Sequence, residues 1–147
     1  MAVGVALGLK IKNKQNKVIC IIGDGESNEG TVWESALVAA KYQLGNFCVI
    51  ADHNGSSDLV LPVTNPEEKW RAFGWDAVTI DGHDLVALER TLKAIDFIGS
   101  KKPHVIIART IKGCGVNFME KDFGSWHAKI PSVEELDLIY AELEKER

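Results

Sequence analysis

The residues best able to do chemistry lie in the octapeptide Gly23-Asp24-Gly25-Glu26-Ser27-Asn28-Glu29-Gly30, directly after the apolar run VICII. Glycines at the end of such a run let the backbone approach an anion, and the free N–H groups of a following helix point at it. A carboxylate beside an anion-binding turn makes sense when a cation lies between the two negative groups. The object expected there is a magnesium–diphosphate unit, with Asp24 as a hard oxygen ligand. Three common motifs are excluded. A P-loop needs Gly-Lys-Ser/Thr, whereas Gly30 is followed by Thr31 and Val32. A dinucleotide fingerprint needs glycine where Asn28 stands, and a calcium loop starting at Asp24 needs glycine at Glu29 and glutamate at Ser35. An ordinary turn rich in Gly, Asp and Asn is the plain alternative.

A second string narrows the choice. Asp52-His53-Asn54-Gly55 follows the apolar run FCVIA, with Asn54 thirty positions after Asp24. If the two runs are neighbouring strands joined by one crossover helix, Asp24 and Asn54 meet at a common edge. They then offer a carboxylate oxygen and an amide oxygen, with following backbone carbonyls to complete an octahedron. An Asn-Gly turn of no further meaning is the alternative here.

The elements needed to position these turns are legible. Apolar runs at 18–22, 47–51, 77–80 and 104–108 alternate with segments of helical period. Their continuous apolar character suits strands covered on both faces. Val32, Trp33, Ala36, Leu37, Ala40 and Leu44 form a helical stripe, with Gly45 expected as its C-terminal cap. Asn65-Pro66-Glu67-Glu68 reads as an N-cap and first turn, Asp84 as the cap of a helix facing inward through Leu85, Leu88, Leu92 and Ile95. Ser132 and Glu135 form a capping box. The expected class is α/β, a parallel sheet of about four or five strands with flanking helices, in one domain over 1–147. The opening MAVGVALGLK reads as helix from the first residue, with Gly4 and Gly8 one turn apart. It starts without a preceding loop, which suggests a piece of something larger.

Composition sets outer limits. The 147 residues are 46% hydrophobic and 26% charged, with 17 basic against 21 acidic side chains and a net charge of −4. This excludes wholesale disorder and gives no electrostatic footprint for nucleic acid. No apolar run approaches the ~20 residues of a membrane helix. Three cysteines without a Cys-x-x-Cys pair point to structural thiols in a reducing, cytoplasmic setting rather than zinc or disulfides. His53, His83 and His104 read as structural.

With both turns in view, the chain resembles transketolases. GDG followed by a distant strand-end asparagine is the diphosphate–magnesium motif of thiamine-diphosphate enzymes. The longer blocks GDGESNEGTVWESALVAAKYQLGN, DHNG, KWRAFGWDAVTIDGHD, KPHVIIARTIKGCGVNFME and SWHAKIP are similar to the N-terminal subunit of the two-gene form. SWHAKIP and KWRAFGW set the chain apart from deoxyxylulose-phosphate synthases and keto-acid dehydrogenases.

The resemblance implies roles. Magnesium would be held by Asp24 and Asn54 through their side chains and by Ser56 through its carbonyl. Gly23, Asp24, Gly25, Glu26, Asn54 and His127 would bind thiamine diphosphate. His127 would act near the reaction centre and Glu29 behind the cofactor, at the contact with a partner domain. The implied activity is ketol transfer between sugar phosphates, completed by a C-terminal subunit carrying the pyrimidine domain, in a homo- or hetero-oligomer, without turnover by the isolated chain. A non-catalytic cofactor-binding module, or an interaction module that keeps the fold, is the alternative; the trio Asp24, Asn54 and His127 speaks against the latter. The family's glycine-rich loop before the first helix has no counterpart. Ser56-Ser57-Asp58 stands where the family has an apolar residue and a longer loop, and Ala128 replaces a glycine.

Overall fold

A computed structural model of the chain describes residues 1–145, so the last two residues of the expected domain lie outside the described residues. Four parallel strands, β1 (Val18–Gly23), β2 (Phe47–His53), β3 (Asp76–Asp81) and β4 (His104–Arg109), form one sheet in the order β1-β2-β4-β3. Each contains the run expected from its apolar residues and extends it by a residue or two. The register pairs Gly23 with Asp52 and His53 with Arg109, so the turns after β1, β2 and β4 emerge at one carboxyl edge.

The helices are α1 (Ala2–Ile11), α2 (Gly30–Lys41), α3 (Pro66–Ala72), α4 (Leu85–Ala94), α5 (Asn117–Lys121) and α6 (Val133–Leu143). One sheet face packs Phe47, Val49, Ala51, Val105 and Ile107 against Ala6 of α1, Ala36 and Ala39 of α2 and Trp70 of α3. The small alanines let α2 lie close to the sheet. Trp70 and Trp75 pack edge to face at 4.8 Å, and the Trp75 indole donates to the Ala36 carbonyl at 3.0 Å. The opposite face buries Cys48, Ile106 and Phe97, with Ile80, Leu92 and Ile95 packed against them. Burial pushes the Cys48 thiol up to about 12, which fits an inert core residue.

Several local expectations are corrected. The α2 helix ends at Lys41, and Gln43, not Gly45, takes the left-handed backbone that turns the chain. Gly45 serves close packing: a Cβ there would lie 2.0 Å from the Ser100 carbonyl oxygen. Leu37 faces solvent and Ala39 takes the buried place, because the helix turns its small side toward the sheet. Leu85 is likewise exposed while Ala87 is buried. Asn65 precedes α3 in a left-handed conformation and makes no side-chain cap bond. On β1, Ile19 and Ile21 are exposed, so this edge strand is covered on one face only. The Asp84 cap and the Ser132–Glu135 capping box form as expected. Neither Gly4 nor Gly8 meets a close neighbour. Among the described residues no helix is long and apolar enough to cross a membrane.

Candidate functional site

Parallel strands deliver their carboxyl ends to one edge, where ligands of open α/β sheets bind. Here the turn after β1 and the turn after β2 meet directly. Asp24 is buried, and each carboxylate oxygen accepts a backbone N–H: Oδ1 from Gly25 at 2.7 Å and Oδ2 from Ser57 at 3.2 Å. The second bond ties the two turns together. Asn54 is locked beside it. Its Nδ2 donates to Asp52 Oδ2 at 2.9 Å, and the other Asp52 oxygen accepts from the Thr110 hydroxyl after β4. Its Oδ1 accepts from Ser56 N at 3.0 Å and from Ser56 Oγ at 2.5 Å.

These turns line a cavity of about 570 Å³ together with His127 and Lys112. Of the expected site residues, Gly23, Asp24, Gly25, Glu26, Asn54, Ser56 and His127 all border it. His127 is exposed and reaches it from a short 3-10 turn between α5 and α6. Glu29 does not line the cavity; it is exposed at the start of α2 and accepts from the Thr31 hydroxyl at 3.2 Å. The N–H groups of two residues expected to bind the cofactor are engaged within the turn itself. Gly25 N–H is taken by Asp24, and Gly23 N–H donates to Glu26 Oε2 at 2.7 Å.

The other histidines stay outside the cavity. His83 Nε2 accepts from Ile111 N at 2.9 Å, pinning the loop after β4, and His104 is buried at the opposite, amino edge of the sheet. Ser57 and Lys112 are cavity residues that the motifs did not single out. For Lys112 a signal existed: it follows the β4 run by only a few residues and so falls at the carboxyl edge. For Ser57 none did, because a serine in a polar turn is unremarkable until its burial is known.

The donor set suits a hard cation bound to a phosphorylated group. Asp24 is a buried carboxylate with no ion pair among the described residues. The Ser57 hydroxyl, also buried, has no hydrogen-bond partner among the described residues. A buried, unpaired hydroxyl costs about 1–3 kcal/mol, and this one belongs to the residue whose main-chain N–H ties the second turn to Asp24. Carboxylate, amide and carbonyl oxygens are what magnesium accepts alongside phosphate oxygens.

Fold and site together define an open parallel α/β domain with a cation- and anion-compatible cavity at its carboxyl edge. Residues 8–135 match the family described as transketolase, thiamine diphosphate binding domain. The chain is 38% identical to an apulose-4-phosphate transketolase subunit from Actinobacillus succinogenes, over 99% of this chain and 54% of that protein. It is also 38% identical to a 6-deoxy-6-sulfo-D-fructose transketolase subunit from a Clostridium species, with the same shares covered. The corresponding apulose-4-phosphate transketolase subunit from Phocaeicola vulgatus is 34% identical over 93% of this chain and 50% of its own length. The chain thus spans about half the length of these curated relatives. In fold it superimposes on a transketolase from Campylobacter jejuni with a TM-score of 0.72 at 23% identity, covering 99% of this chain and 28% of that one. The chain belongs to the transketolase family, as its thiamine-diphosphate-binding domain.

Proposed function

We propose that the chain is the diphosphate-side component of a transketolase that uses magnesium and thiamine diphosphate and works with a separate subunit carrying the pyrimidine domain. The meeting of the Asp24 turn and the 54–57 turn at one cavity carries this reading. Asp24, the Asn54 amide oxygen and the Ser56 carbonyl would hold the cation, which neutralises the charge between Asp24 and a diphosphate. Lys112 adds positive charge to the same wall. His127 would approach the diphosphate from the outer rim. Glu29, exposed outside the cavity, is assigned to the contact with the partner subunit. When bound, thiamine diphosphate supplies the nucleophilic carbon for two-carbon transfer; the protein positions it and supplies charge.

Relatives that are themselves named as transketolase subunits support a partner for this chain. Their names specify a sugar phosphate in two cases and a sulfonated sugar in another, so the substrate class proposed here is sugars bearing a terminal anion. The free cysteines fit a reducing compartment such as the cytoplasm.

Calorimetric titration of thiamine diphosphate, with and without Mg²⁺, tests the site. Magnesium-dependent binding by the wild type, weakened at least about ten-fold in Asp24→Asn, is expected for loss of a charged cation ligand. Equal binding by both proteins regardless of magnesium overturns the cation site. A ketol-transfer assay with and without a pyrimidine-domain partner tests the assembly, and steady turnover by the chain alone overturns it. Binding without turnover when the partner is present would leave a cofactor-holding module.

A further inference from the structure

Each Asp24 oxygen accepts one N–H and keeps a second electron pair, whereas the amide oxygen of Asn54 has both of its pairs in use. Its two hydrogen bonds, from Ser56 N at 3.0 Å and Ser56 Oγ at 2.5 Å, occupy the two lone pairs of a carbonyl-type oxygen. Asn54 cannot escape by turning over. Its Nδ2 is anchored to Asp52 at 2.9 Å, and Asp52 is itself held by Thr110, so the network defines which end of the amide meets Ser56. The two Ser56 donors differ in freedom. The backbone N–H is fixed by the turn that follows Gly55, which sits in the left-handed region at φ 78°. The hydroxyl rotates about one bond.

We propose that Ser56 sets the cation affinity of this site: its hydroxyl competes with the metal for Asn54 Oδ1 and must swing away before the amide oxygen can coordinate. The inference rests on the cation reading above and deepens it. A side chain without a hydroxyl at position 56 leaves one lone pair of Asn54 free on a residue that borders the cavity, a site organised in advance. With serine, each binding event breaks a neutral hydrogen bond whose usual net worth corresponds to about a 2- to 10-fold change in affinity. The Ser56 carbonyl, the third expected ligand, is untouched by the exchange. Metal affinity is therefore tuned by the side chain of the residue whose main chain helps to coordinate.

Mn²⁺ is the probe, titrated into the full chain at saturating thiamine diphosphate and followed by its electron paramagnetic resonance signal. Ser56→Ala is expected to bind Mn²⁺ about 2- to 10-fold more tightly than the wild type. Ser56→Thr, which keeps the hydroxyl, should stay at the wild-type value. Melting temperatures without metal separate affinity from stability, and Ser56→Val replaces the alanine variant should the latter fold poorly. Equal or weaker Mn²⁺ binding by the hydroxyl-free variants, with Asp24→Asn abolishing binding, overturns the role of Ser56 while leaving the cation site. No Mn²⁺ binding by the wild type and its Ser56 variants alike overturns both.

Discussion

Asp24 and His104 are buried titratable side chains at opposite edges of one sheet, and the protein treats them differently. Asp24 receives a backbone N–H on each oxygen, so its burial is satisfied before any ligand arrives. His104, packed edge to face with Phe97 at 5.9 Å, keeps Nε2 without a partner among the described residues. Burial lowers its pKa below the ordinary histidine range, and the carboxylates of Asp76 and Asp96 oppose that only in part. The sign of the consequence is fixed. The unfolded imidazole takes up a proton as pH falls through about 6.5, while the folded one resists protonation to lower pH. Stability is therefore complete above about pH 6.5 and falls on acidification below it. Melting curves between about pH 7.5 and pH 5 should show a smaller decline for His104→Gln than for the wild type. Parallel declines would mean that the imidazole charges freely in the fold. The carboxylates of Asp96, Glu134 and Glu135, all lowered by local hydrogen bonds, act at lower pH and leave that window clear. At this scale the candidate site was readable as residue types. Asp24, Asn54 and His127 each carry a functional group suited to a metal–diphosphate pair. Ser57 and the grip of Ser56 on Asn54 were not readable, because burial and rotamer are set by neighbours distant in sequence.

Among the elements, the glycines distinguish local from tertiary demands. Gly4 lies inside α1 with nothing beyond its own helix backbone and chain neighbours within 4 Å of the place a Cβ would take, so only its backbone freedom matters. Gly4→Ala should stabilise the fold by about 0.5–1 kcal/mol, raising the melting temperature by a few degrees at most. Gly45 is the opposite case. A Cβ there meets the Ser100 carbonyl oxygen at 2.0 Å and its carbon at 2.7 Å, both main-chain atoms. Gly45→Ala should cost about 1–3 kcal/mol or more by forcing the 45 and 100 segments apart. Thermal denaturation of both variants checks the pair, and similar shifts would contradict it. Helix starts at Asp84 and Ser132 were readable because capping is a bond between residues three apart. The end of α2 was not. Its apolar stripe continues to Leu44, which is fully buried, yet the helix has already stopped at Lys41 and the leucine packs from the turn.

At the scale of the whole molecule, four parallel strands bring three separate turns to one edge, and cofactor binding should couple to the stability of all of them. A ligand that binds only the folded state raises stability by about 2.7 kcal/mol at a hundred times its dissociation constant. Magnesium with thiamine diphosphate should therefore raise the melting temperature progressively with concentration, and thiamine diphosphate with a chelator should not. Flat melting temperatures in both conditions would sever the 24 and 54 turns from the cofactor. Sheet order was only partly readable. The β1–β2 pairing follows from a single crossover, but the insertion of β4 between β2 and β3 has no local signal.

Period, spacing and residue type within a few positions along the chain sufficed for the α/β class, the strands to within a residue or two, the capped helix starts and the chemical character of the two turns. Three-dimensional packing was needed to settle which helix face met the sheet, that Ile19 and Ile21 stay exposed on β1, and which donor holds the Asn54 oxygen. Such outcomes depend on which groups exclude water from one another after the strands are stacked, and no window along the chain contains both partners.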